Sequence, residues 1–244
     1  MLGEMGQTLL LAVLLVLAGC AGATATPIDP GDGGDYSVTI DPADFVAVVD
    51  NDRFPLSPGS AWVYESIGGE DVERIEVVVT PEKRIVMGVS TTVVRDTVTV
   101  DGELVEDTDD WYAQDQVGNV WYFGEDTAEY EDGEIVSTAG AWEAGVDGAL
   151  PGIAMEADPA VGDSYRQEHF PGEAEDLAEV VRDGVSEDVA FGTFDDLIVI
   201  EEWTPLEPEV VEEKYYASAV GMVLETTVQG GSGRIELISF SPGP

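Results

Sequence analysis

Alternation with a period of two dominates this chain from residue 61 onward. Ala61 to Ser66, Val72 to Thr80, Arg84 to Val100 and Glu103 to Asp115 are rich in β-branched residues and read as strands. Val120 to Phe123, Thr127 to Tyr130 and Glu134 to Thr138 continue the series. It resumes at Ser164 to Phe170, Ala178 to Arg182, Leu197 to Trp203, Val210 to Ala217, Met222 to Val228 and Ile235 to Phe240. Asp101-Gly102 and Asp132-Gly133 are tight-turn signals. Helical periodicity is weak, and Glu173 to Val181 is the one stretch that reads as a short helix. About a dozen strands at this spacing predict an all-β fold. The expected form is an antiparallel meander making a strongly curved sheet, half-barrel or barrel, with at most one short helix.

One segment breaks the alternation. Ala139 to Pro159 carries Gly140, Gly145, Gly148 and Gly152. An irregular crossing segment packed by Trp142, Leu150, Ile153 and Met155 is the expectation, with a partial lid over a site as the functional alternative.

Ahead of the strands, Leu9 to Leu17 is an apolar run too short to span a bilayer core of about 30 Å. It ends in Leu17-Ala18-Gly19-Cys20, and Cys20 is the only cysteine. This pattern resembles a bacterial lipoprotein signal with its lipobox. The resemblance implies cleavage before Cys20, lipidation of its sulfur, and an exported protein held on a membrane. Glu4, with no Lys or Arg before Thr8, departs from the usual basic start. Residues 1–19 are then a signal peptide, and residues 20–44 a lipidated cysteine with a flexible acidic tether. Residues 45–244 form a single β domain. About 25 residues of coil would hold that domain about 25–30 Å from the membrane.

Charge narrows the partners. The formal net charge is −42, from 9 basic and 51 acidic residues. A field of this sign repels phosphate backbones, so no nucleic acid partner is expected. With Cys20 consumed by lipid, neither a disulfide nor a thiol nucleophile is available.

Asn51 to Glu65, together with Asp110-Trp111-Tyr112-Ala113-Gln114-Asp115 and Gly118 to Glu125, resembles an uncharacterised family of bacterial secreted proteins and lipoproteins. That resemblance spans residues 45–240 and implies no activity. Phe191 to Leu197, Lys214 to Ala217 and Val220 to Val223 are similar to the closing strands of periplasmic lipocarrier-like half-barrel lipoproteins. This second resemblance implies a curved sheet around an apolar face that could hold lipid.

Three groups of residues could carry chemistry. The first is the Asp115-to-Trp121 hairpin, where Trp111, Tyr112, Trp121 and Tyr122 offer flat apolar faces. Asp115, Asn119 and Glu125, with Asp110, offer acceptors beside them, which suits a saccharide or a cationic ligand. A plain structural hairpin is the alternative. The second is Glu173, Glu175 and Asp176, oxygen ligands of the kind Ca2+ prefers; no other cofactor is expected. The third is His169, the only histidine, which excludes a multi-histidine metal site. No nucleophile motif is present, and no catalytic residue is expected. The expected function is a non-enzymatic envelope module binding lipid or a small molecule, attached to the membrane through Cys20 and facing the extracytoplasmic side. A calcium- or saccharide-binding surface module and a carboxylate-based hydrolase are the alternatives.

Overall fold

The computed structural model describes residues 36–68 and 71–244. Cys20 and the signal segment lie outside the described residues. Among the described residues, seventeen strands follow in chain order. β1 (Asp50–Asn51) and β2 (Phe54–Pro55) pair alone as a small hairpin. The first half of the main sheet comprises β3 (Ala61–Ser66), β4 (Glu73–Val86), β5 (Val89–Val100), β6 (Glu103–Gln114) and β7 (Val120–Glu131). The middle holds β8 (Glu134–Ser137), β9 (Trp142–Glu143), β10 (Leu150–Met155), β11 (Ser164–Arg166) and β12 (Glu168–His169). The last half comprises β13 (Leu177–Val189), β14 (Gly192–Trp203), β15 (Val211–Ala217), β16 (Gly221–Gln229) and β17 (Arg234–Ser241).

All pairings are antiparallel, and the path runs β11-β13-β14-β15-β16-β17-β3-β4-β5-β6-β7-β10-β12, with β8 and β9 also on β7. The two ends of this path are β11 and β12, separated only by Gln167. A sheet whose first and last strands are neighbours in the chain must curve almost fully round. The halves of this segment pair in opposite directions, Ser164–Arg166 with β13 and Glu168–His169 with β10. The result is a strongly curved sheet with a seam at Gln167 rather than a closed barrel.

The hairpins follow local chemistry. Asp101-Gly102 and Asp132-Gly133 turn with both residues at positive φ, as two-residue hairpins require. Met87-Gly88 does the same at φ 49° and 84°. It splits the stretch expected as one strand from Arg84 to Val100, because methionine gives no turn signal. The expected helix at Glu173 to Val181 is replaced by a turn at Phe170–Ala174 and the start of β13. Ala174, Leu177, Ala178 and Val181 fit helical spacing, but pairing with β11 and β14 overrides that preference.

The segment 139–159 is held to the sheet through β9 and β10, as the packed crossing segment expected, with Ala139 and Gly140 beside the cavity described below. β9 and β10 both pair with β7, and Trp142, Ile153 and Met155 are buried. Its glycine and a partner on β7 allow backbones to close. A Cβ on Gly124 would lie 2.2 Å from the Trp142 carbonyl, and one on Gly152 would lie 2.2 Å from that of Gln167. The apolar core is continuous, with Val79, Phe123, Met155, Leu197, Leu224 and Leu237 fully buried. Each such side chain contributes about 1.5–3 kcal/mol. Tyr36, the first described residue, packs onto the domain and its hydroxyl donates to the Pro151 carbonyl at 2.5 Å.

Candidate functional site: an acidic interior

The β6–β7 hairpin sets the site. At its turn, Asp115 accepts from the backbone N–H groups of Val117, Gly118 and Asn119, from Asn119 Nδ2 and from Trp121 Nε1, all within 3.0 Å. Asn119 Oδ1 accepts from Ala157 N. Trp121 packs edge-on to Phe45. These three residues are therefore committed to the hairpin and offer no free ligand surface. Trp111 is covered as well: the Arg84 guanidinium lies 3.9 Å from its ring centroid and pairs with Glu143. Tyr112 is stacked between Phe54 and Tyr122, at 5.3 and 4.8 Å. The aromatic platform expected from the sequence is internal packing.

Further along the same hairpin the character changes. The register sets Glu106 opposite Glu129, Thr108 opposite Thr127 and Asp110 opposite Glu125. The threonines hydrogen-bond at 2.7 Å, but the flanking pairs are like charges, which cross-strand pairing penalises. Tyr122 Oη lies 2.6 Å from Asp110 Oδ1 and 2.9 Å from Glu125 Oε2. A phenol has one proton, so both contacts are satisfied only if one carboxyl is protonated and donates. The environment of the two carboxyls favours such a proton. Burial lifts Glu125 to about 8, with Asp110 adding repulsion, and burial lifts Asp110 to about 7 against the Tyr122 hydrogen bond.

Glu125 faces an open-mouthed cavity of about 340 Å³ bounded by strands of the curved sheet and two turns. Nine carboxylate side chains and a single lysine line it, contributed by β6, β7, β12, β14, β15 and the 173–176 and 204–210 turns. Glu173, Leu206 and Glu207 are exposed at its rim. Deeper in, burial raises Glu168 well above the carboxylate range, with Asp176 and Glu125 adding to it. Burial and then Glu202 lift Asp176 to about 6. Lys214 Nζ pairs with Glu202 at 2.6 Å and sits 3.8 Å from Glu225, its direct cross-strand partner. Burial alone would lower the lysine, but these carboxylates outweigh it and hold Lys214 well above its ordinary value. Glu225 is nonetheless raised by burial to about 7. One ammonium does not neutralise this wall.

Two buried polar atoms in this region lack partners. Asp96 Oδ1 has none, and burial followed by repulsion from Asp110 and Glu106 raises its carboxyl strongly. Tyr165 is fully buried with an unpartnered hydroxyl, in the field of Glu202 and Lys214.

The three residues expected to ligate calcium diverge. Glu175 accepts from Gly172 N at 2.7 Å within the turn, Asp176 points inward, and Glu173 stands exposed at the cavity rim. Among the described residues no three His, Cys, Asp or Glu side chains converge to hold a metal ion. His169 packs against Tyr36 at 5.1 Å on the seam. Burial and then the Arg166 charge lower its pKa.

Sequence reasoning thus found Tyr122, Glu125, Glu173 and Asp176 at the cavity or its buried acid pair. It missed Glu106, Glu168, Glu202, Glu212 and Lys214, which are brought together only by the curvature.

No protein-family model and no curated protein matches the chain. Two solved structures show similarity to it. One is a Bacteroides fragilis protein provisionally named as exported, with a YmcC-like fold. It is 13% identical, covers 79% of this chain and 100% of its own, and gives a TM-score of 0.47. The other is a Parabacteroides distasonis protein provisionally named a lipoprotein. It is 13% identical, covers 78% of this chain and 99% of its own, and gives a TM-score of 0.42.

Proposed function

We propose that this chain is an exported, lipid-anchored envelope protein that binds a small organic polycation, of the polyamine class, in its acidic cavity. The lipobox pattern ending at Cys20 supports export and anchoring. The single observation that carries the ligand class is the lining itself: nine carboxylates around one lysine, in about 340 Å³. An apolar lipid would have to desolvate this wall, so the lipid-carrier reading is set aside. The carboxylates are spread over several strands rather than gathered on one point, which suits spaced ammonium groups better than a single metal ion. Lys214 between Glu202 and Glu225 is an internal example of how an ammonium is seated here. Like-charge pairs and unpartnered polar atoms cost stability, and proteins keep such violations chiefly at functional sites.

The hydrolase reading has less support. Asp110 is buried and stands behind Tyr122, outside the cavity lining, so the close carboxyl pair does not present both members to a substrate.

The test is a melting titration of the mature chain carrying Cys20→Ser, with spermidine, CaCl2 and NaCl at matched ionic strength. A saturable rise specific to spermidine supports the proposal. A rise specific to Ca2+ would return the site to a metal, and equal responses to all three would mean screened charge only.

A further inference from the structure

A second site lies at the seam, where β11 and β12 meet. Seven arginines fall among the described residues, and six of them form ion pairs with Asp or Glu. Arg166 is the exception: no ion pair to it occurs among the described residues, in a chain of net charge −42. It is also the most deeply placed, with 3% of its surface exposed. Its Nε and Nη1 are buried without hydrogen-bond partners, and so is Nδ1 of His169. Both residues belong to the segment 164–169 in which the two ends of the sheet meet.

Tyr36 ties this place together. Its ring lies 5.5 Å from the Arg166 guanidinium carbon and 5.1 Å from the His169 ring, and its hydroxyl holds the Pro151 carbonyl of β10. One aromatic side chain therefore covers β10, β11 and β12 at once. Burying an unpaired guanidinium is unfavourable, and a partner arriving from outside would account for its retention. With two idle guanidinium donors beside an unpartnered imidazole nitrogen that becomes a donor on protonation, the partner that fits is an anion rich in acceptors.

We propose that Arg166 and His169 form an oxyanion site at the seam, which takes a phosphate group when Tyr36 moves aside. The phosphate can be free or carried on a lipid headgroup. The second source rests on the anchoring reading above, in which lipid on Cys20 would keep the domain at a membrane. The site is independent of the acidic cavity, so either proposal can fail alone.

His169 is the only histidine, which gives the experiment a single resonance to follow. The Cε1–H signal is recorded on the mature Cys20→Ser chain while inorganic phosphate is titrated against NaCl at matched ionic strength. A saturable shift is expected, and the His169 pKa, set without anion by burial, Arg166 and the opposing Glu175, should rise by about one unit or more. Arg166→Met should abolish both effects, while Arg95→Gln, at an exposed pair, should leave them intact. Without phosphate, Arg166→Met should melt no lower than the parent, because it removes an unpaired buried charge and keeps the stem. A parallel arm follows the lipidated chain on phosphatidylglycerol and phosphatidylcholine vesicles. A response to free phosphate assigns the free anion, and one seen only with phosphatidylglycerol or phosphatidylcholine vesicles assigns the headgroup. Identical behaviour in phosphate and chloride with no vesicle response overturns the site, as does a phosphate response that survives in Arg166→Met.

Discussion

The β6–β7 hairpin holds two acidic sites a few residues apart, and they are built on opposite terms. At the turn, Asp115 gathers five donors and closes the loop around itself. Along the strands, Asp110 and Glu125 face each other across the ladder with one phenol between them. The first carboxylate is satisfied by its own chain. The second pair is left short of donors and holds a proton near neutral pH. The same residue type serves the fold in one place and opposes it in the other, and only the second borders the cavity.

The largest expected effect breaks the satisfied side. Asp115→Ala leaves the N–H groups of Val117 and Asn119, an amide and an indole without their acceptor, while Gly118 N keeps the residue 115 carbonyl, and should cost about 3 kcal/mol in urea unfolding. Spermidine affinity of the folded fraction should be unchanged. The unsatisfied side should respond in the reverse sense. Glu125→Gln removes a like-charge pair and should stabilise the chain at pH 8 by about 0.5–1 kcal/mol, while weakening spermidine about tenfold or more in isothermal titration. A loss of stability there would mean that the pair is structural.

The smallest effect is a slope. Asp110, Asp176, Glu225 and Glu125 titrate at about 6 to 8 when folded, above their ordinary values near 4. The folded chain therefore binds more protons than the unfolded chain between about pH 4 and pH 8, and stability falls as pH rises through that window. Glu213, held low by the Arg182 hydrogen bond, and His169, lowered by burial and Arg166, work against this, but they are two groups against four. Melting temperatures at constant ionic strength should be higher at pH 5.5 than at pH 8. A flat or rising profile would remove the raised carboxyls from the account.

Local signals were legible in the sequence and distant ones were not. Asp101-Gly102 and the Asp115 hairpin could be read directly, because turn chemistry depends on adjacent residues. The inward face of β6 could not. Glu106-Asp107-Thr108-Asp109-Asp110 is polar at every position, so alternation gives no face, and the parity emerges only from pairing with β7. Glu168, Glu202 and Lys214 meet Glu125 because the sheet curves until β11 and β12 adjoin, a closure that no local pattern encodes.

The most direct test of the acidic cavity is isothermal titration of spermidine at pH 7 in two buffers of different ionisation enthalpy. A ligand that binds ionised carboxyls must displace the protons they hold. Saturable binding with net proton release, reduced in Glu125→Gln, is the predicted result. Binding with no proton exchange, or no saturable heat beyond that of NaCl, would contradict it.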